Sequence, residues 1–141
     1  MKVAFKQSNI TSEAAAVAVT AAVNKGAELG RDVNAAVLER GGNLAAFLRS
    51  DGASFLSSDI AQDKAYTAVN FGMATSAWDS LFKNMSSAVR AGITQRPRFA
   101  GFGGGLPIIV DGDVVGAIGV SGASEEEDEI CARAGLDALG L

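Results

Sequence analysis

At 141 residues the chain has the size of one domain, and residues 1–141 are read as a single unit with a single core. A formal charge of −4, with no cluster of Lys and Arg interleaved with aromatics, argues against a nucleic-acid partner. There is no histidine and only one cysteine, Cys131, which excludes Ser-His-Asp and Cys-His catalysis, histidine-rich zinc sites and an internal disulfide. Cys131 itself reads as part of a packed helix face.

No apolar run approaches the roughly 18 residues of a membrane span, and the opening residues 1–6 lack a secretory apolar stretch, so the expected location is the cytoplasm. Much of the apolar content is Ala and Gly, which predicts tight contacts between backbones.

In chain order, a short strand is expected at residues 3–5. Thr11 then reads as an N-cap with Glu13 in the first turn, and a helix face of Ile10, Ala14, Val17 and Ala21 runs to a stop at Gly30. Residues 33–39 and 44–49 flank Arg40-Gly41-Gly42-Asn43 and predict a hairpin. Ser57, Ser58 and Asp59 offer caps for a second helix reaching residue 74, and a shorter helix is expected over residues 80–91. Residues 92–106 lose periodicity and read as a loop. A second hairpin follows, with residues 107–110 and 114–120 around Asp111-Gly112-Asp113. Ser124 and Glu127 form a capping-box pattern at the start of the last helix. The order predicts an α+β domain, an antiparallel sheet of about five strands flanked by helices, and not a Rossmann sheet.

The chemistry concentrates near Gly101-Phe102-Gly103-Gly104-Gly105. A strand follows these glycines, whereas nucleotide-binding glycine loops open a helix. Exposed N–H groups of Gly103, Gly104 and Gly105, with Arg96 and Arg98 just upstream, would suit a carboxylate or similar anion. A plain turn with solvated arginines is the alternative. Gly116 and Gly119 interrupt a strand and mark close approach by another backbone or a ligand. Ser121 has no histidine base and reads as a hydrogen-bonding pocket wall. Lys64 and Tyr66 share the second helix, and Lys64 is the candidate for holding a buried carboxylate or acting as a base. Asp59 and Asp63 lie one turn apart and could face a cation, although capping explains Asp59 more simply. The acids 125–129 read as a solvated helix start, so no metal site is assigned.

Three motifs in order, Ser58-Asp59-Ile60-Ala61-Gln62-Asp63-Lys64-Ala65-Tyr66-Thr67-Ala68, Gly103-Gly104-Gly105-Leu106-Pro107-Ile108 and Val115-Gly116-Ala117-Ile118-Gly119-Val120-Ser121-Gly122, resemble the GlcG/HbpS family over almost the whole chain. The resemblance implies a profilin-like fold and homo-oligomeric assembly. Some members of that family bind haem or are associated with haem degradation or corrinoid metabolism. A haem cofactor is disfavoured here because no histidine is present to ligate it.

The leading expectation is therefore a homo-oligomeric small-molecule-binding protein. Arg96, Arg98, Gly103, Gly104 and Gly105 would take an anionic group, with Lys64, Tyr66 and Ser121 lining the pocket. The alternatives are a lyase or isomerase in the catabolism of a small organic or aromatic acid, using Lys64, and a haem or tetrapyrrole protein without a histidine ligand.

Overall fold

The computed structural model describes residues 1–141. Helix α1 (Ser12–Glu28) leads to strands β1 (Asn34–Glu39) and β2 (Leu44–Arg49), then to helices α2 (Leu56–Phe71), α3 (Trp78–Lys83) and α4 (Ser87–Thr94). Strands β3 (Gly105–Val110) and β4 (Asp113–Ser121) and helix α5 (Glu125–Asp137) complete the chain. The sheet is antiparallel throughout, in the order β2-β1-β4-β3. Helices α1 and α5 cover one face over a core that includes Val33, Val37, Ile118 and Val120. Helix α2 covers the other face, over Ala36, Leu38 and Ala117. The α+β architecture is as expected, with four strands in place of five.

The missing strand is residues 3–5. They are exposed, make no backbone hydrogen bond and lie in no regular element, since a strand exists only in a pair. The chain first meets the sheet at Ile10, whose N–H donates to the Val115 carbonyl at 3.0 Å.

Helix α1 starts as predicted, with the Thr11 hydroxyl accepting from the Ala14 N–H at 3.2 Å, and Gly30 takes a φ of +70° just beyond its end. Its buried face is Ala15, Ala18, Val19, Ala22 and Gly26, one position out of phase with the expected one, and Val17 is exposed. Alanine-rich sequence makes every face apolar, so spacing alone does not choose the phase.

Both hairpins form as expected. Asp111 and Gly112 both adopt positive φ, 51° and 83°, the two-residue turn that suits the twist of adjacent strands. In the first hairpin the Glu39 carboxylate accepts from the Asn43 backbone and side chain at 2.9 and 2.8 Å. The backbone N–H groups of Asn43 and Gly41 hold its pKa below the usual range.

Helix α2 begins at Leu56 without a side-chain cap, and Gly72, at φ +63°, ends it before residue 74. The helix expected at 80–91 is two pieces, because the Ser86 hydroxyl accepts from Val89 N–H and restarts the chain as α4. Helix α5 carries the full capping box of Ser124 and Glu127. No helix is long and apolar enough to cross a membrane.

The strand glycines serve backbone approach. A Cβ on Gly119 would collide with the Ala61 carbonyl oxygen and lie 2.5 Å from the Ala65 nitrogen, so α2 rests directly on β4. Gly135 plays the same part where α5 crosses the Ala18 carbonyl of α1. Gly119→Ala is therefore expected to destabilise the fold by about 3 kcal/mol through overpacking, read as a lowered urea midpoint.

Candidate functional site

The glycine segment and the arginine pair, neighbours in sequence, occupy separate environments. Lys64, on α2, is 1% exposed. Its Nζ donates to Asp128 Oδ2 at 2.8 Å and to the Val120 carbonyl at 2.9 Å, and sits 4.9 Å from the centre of the Phe102 ring. The second Asp128 oxygen accepts from the Ala123 N–H at 3.0 Å. Desolvation lowers the Lys64 pKa and raises that of Asp128, and the attraction between the two opposes both shifts.

Gly103, Gly104 and Gly105 form the roof over this pair. A Cβ on Gly104, whose φ is +125°, would stand 2.6 Å from the Val120 carbonyl oxygen, 2.7 Å from Lys64 Nζ and 2.9 Å from Asp128 Cβ. A Cβ on Gly105 would lie 2.6 Å from the Lys64 carbonyl oxygen. The expected anion nest is largely closed: Gly103 N–H donates to Glu125 Oε1 at 3.3 Å and Gly105 N–H to the Thr75 hydroxyl at 2.9 Å. A carboxylate from the chain itself already sits where an anion would.

Arg98 lies over the other side of α2. Its guanidinium carbon is 4.0 Å from the centre of the Tyr66 ring, and its Nε reaches Asp63 Oδ1 at 3.3 Å. The backbone of Arg98 is held at φ +65°, a region that costs a residue with a side chain about 1–3 kcal/mol. Thr67 holds it there. Its hydroxyl donates to the Arg98 carbonyl at 3.3 Å and accepts from the Ala100 N–H at 2.9 Å. Together with Arg96, Phe71, Phe99 and Ile93, Arg98 and Tyr66 surround a hollow of about 360 Å³. Trp78, 2% exposed, braces the aromatic wall edge-on against Phe71 and Phe99, with ring centres 4.8 and 4.9 Å apart. The Arg96 side chain makes no ion pair or hydrogen bond.

The eight expected site residues thus divide. Arg96, Arg98 and Tyr66 share the hollow; Lys64, Gly103, Gly104 and Gly105 share the buried ion-pair locus. Ser121 is buried at the end of β4, paired opposite Asn34, and belongs to neither. Asp128 is a correction. Read as part of a solvated helix start, it is 2% exposed and is the counter-ion of Lys64. The usable signal was an apolar helix carrying one Lys, which requires a buried acid somewhere in the chain. Thr67, Phe71 and Phe99 were also missed, since nothing in their spacing marks them. Asp63 is engaged by Arg98, and no group of three or more potential ligands is placed to hold a metal ion.

The residues present do not fit haem ligation by histidine, cysteine or lysine. There is no imidazole, the Cys131 thiol is buried with its pKa pushed up to about 11, and the Lys64 ammonium is sealed.

A three-layer profilin-like domain with glycines threading a buried ion pair is a fold shared with known proteins. The description "Haem degrading protein HbpS-like" matches residues 10–137, and the chain belongs to the HbpS-like family. It is 37% identical over 128 residues to a 15.0 kDa protein from the dhaT-dhaS intergenic region of Citrobacter freundii, covering 91% of this chain and 90% of that one. It is 32% identical over 118 residues to Protein GlcG of Escherichia coli K12, covering 83% and 85%. Among solved structures, Klebsiella pneumoniae protein ORFY superimposes with a TM-score of 0.91 at 34% identity, over 99% of this chain and 97% of that one. A Streptomyces reticuli HbpS double mutant gives 0.86 at 38% identity, over 98% and 92%. PduOC, solved as a haem complex, gives 0.83 at 25% identity, over 92% and 94%.

Removing one member of the buried pair leaves an uncompensated charge. Asp128→Ala is expected to cost about 3–5 kcal/mol in urea unfolding, while Lys64→Met with Asp128→Leu recovers most of that loss.

Proposed function

We propose that the chain is a small-molecule-binding protein that takes a small planar organic anion in the hollow walled by Tyr66, Phe71 and Phe99. Arg98 and Arg96 receive its charge. The observation that carries this reading is the Arg98 guanidinium held 4.0 Å from the centre of the Tyr66 ring, on a backbone at positive φ that Thr67 ties down. Strain of this kind is maintained where a side chain must be presented in one geometry. The single contact to Asp63, at 3.3 Å, leaves most of the guanidinium's donors available for a carboxylate, whose two oxygens match the planar fork. Flat aromatic walls and a volume of about 360 Å³ suit an aromatic or other conjugated acid.

Family membership supports small-molecule binding in the coarse sense, since PduOC carries haem. For this chain the anion is assigned to the arginine hollow and not to the N–H groups of Gly103 and Gly105, which Glu125 and Thr75 occupy. Lys64 has no part in binding or proton transfer on this reading, because its ammonium is sealed beneath Gly104 and Phe102. Assembly into a homo-oligomer and a cytoplasmic location belong to the same proposal.

Arg98→Gly separates the site from the fold. Glycine relieves the positive φ, about 1–3 kcal/mol, at an entropic cost of roughly 0.5–1 kcal/mol, so the thermal midpoint is expected to hold or rise. Titration of benzoate and its hydroxylated forms, followed by calorimetry, is expected to give saturable binding that weakens by about 1–3 kcal/mol in this variant. Equal affinity in the two proteins would remove Arg98 from the site. A Soret band on titrating haemin that survives Arg98→Gly would favour haem held elsewhere.

A further inference from the structure

We infer that the N-terminal residues 2–6 of one copy add as a strand to the free edge of β2 in a second copy, exchanging arms across a two-fold axis. This rests on different residues from the proposed ligand hollow. It gives the expected homo-oligomer a specific interface.

The arm is a strand without a partner. Lys2-Val3-Ala4-Phe5-Lys6 alternates, placing Val3 and Phe5 on one side and the two lysines on the other. Val3 is 86% and Phe5 74% exposed, and no backbone group of residues 1–9 makes a backbone hydrogen bond. Its root is nonetheless fixed. Asn9 Oδ1 accepts from the Arg40 N–H at 2.7 Å, the Gln7 amide oxygen turned toward Arg40 accepts from its Nε at 2.6 Å, and Ile10 N–H reaches Val115. The arm starts beside the turn between β1 and β2.

The receiving edge is equally incomplete. Strand β2 is outermost in the sheet, and alternate backbone groups along its free side have no strand to bond. Natural edges are guarded by proline or charge; β3, the opposite edge, carries Pro107. Strand β2 reads Leu44-Ala45-Ala46-Phe47-Leu48 before its first charge at Arg49, with Leu44, Phe47 and Leu48 exposed. Carboxylates flank it. Asp59 and Asp63 share a hollow with Leu44 at one end, where Arg98 engages Asp63 and Asp59 makes no ion pair, and Asp51 stands two residues beyond Arg49 at the other. The apolar centre of β2, with the Asp59 charge at its Leu44 end, meets an apolar centre between lysines. The arm's root lies beside Arg40, and within the protomer its backbone pairs with no strand, its own β2 included, so the β2 edge assigned to it is a second copy's.

Native mass spectrometry tests this directly. The wild-type chain is expected at a multiple of 14.3 kDa. Phe5→Asp on the arm and Phe47→Asp on the edge are each expected to reduce that species roughly tenfold in favour of a lower multiple, the loss of about one apolar anchor per engagement, with unchanged far-UV circular dichroism. A monomeric wild type, or an assembly indifferent to both variants, overturns the inference. A second experiment distinguishes exchange from pairing within one chain. A Phe5→Cys chain is mixed with a Phe47→Cys chain lacking residues 2–6, and a short bis-maleimide is added; Cys131 is buried and does not compete. Crosslinked heterodimer is the expected product. Its absence, or intramolecular crosslinking in a Phe5→Cys/Phe47→Cys double variant held at monomer concentration, overturns the exchange. None of these residues lines the ligand hollow, so failure here leaves the Arg98 titration to stand or fall separately.

Discussion

The buried ion pair between Lys64 and Asp128 is the constraint around which the fold is arranged. Two opposite charges, each about 2% exposed or less, join α2 to α5 through the sheet layer, and neither tolerates loss of the other in so dry a setting. The ammonium needs a second acceptor, which the Val120 carbonyl supplies, and a roof thin enough to exclude water without displacing it. Only a residue without a Cβ fits at 104, where positive φ and contacts under 3 Å coincide. What reads along the chain as a flexible glycine run is the most sterically determined part of the molecule.

This arrangement also separates structure from recognition. The glycine run connects to the Arg96–Arg98 turn through Phe99, Ala100 and Gly101, and Thr67 on α2 ties down both Arg98 and Ala100. Helix α2 therefore presents Lys64 inward to the ion pair and Tyr66 toward the arginine hollow, two positions apart, where a helix turns its residues to different sides. The strain at Arg98 is sustained because the segment is held on both sides: by Thr67 at 98 and 100, and by the glycine roof from 103 onward. Trp78, packed edge-on between Phe71 and Phe99, makes the aromatic wall of the hollow rigid.

The legible and illegible parts of the sequence divide along the range of the interaction. Both hairpins, the Thr11 cap and the Ser124–Glu127 box were readable, because each is decided by residues within four positions of one another. The phase of α1 was not, since alanine offers no contrast between faces. Lys64 could be singled out as an odd cation on an apolar helix, yet its counter-ion lies 64 residues away within a run of five acids, four of which look equivalent to it in sequence. Arg96, Arg98 and Tyr66 were expected in one pocket with the glycines, and in the structure they line a hollow apart from them. Their separation from the glycines depends on which N–H groups Glu125 and Thr75 occupy, and that is tertiary information.

The opening segment was misread for a different reason. Alternation and β-propensity at residues 2–6 are real, but a strand is a property of a pair, and these residues pair with no edge of the protomer. The same local rule that predicted a strand at 3–5 also leaves the edge of β2 unguarded, with three exposed apolar side chains and no proline or charge before Arg49. In a monomer both features are liabilities, each exposing apolar surface and unpaired backbone. Together, on two copies, each supplies what the other lacks, so the apparent error in the sequence reading and the apparent defect at the sheet edge have one physical explanation.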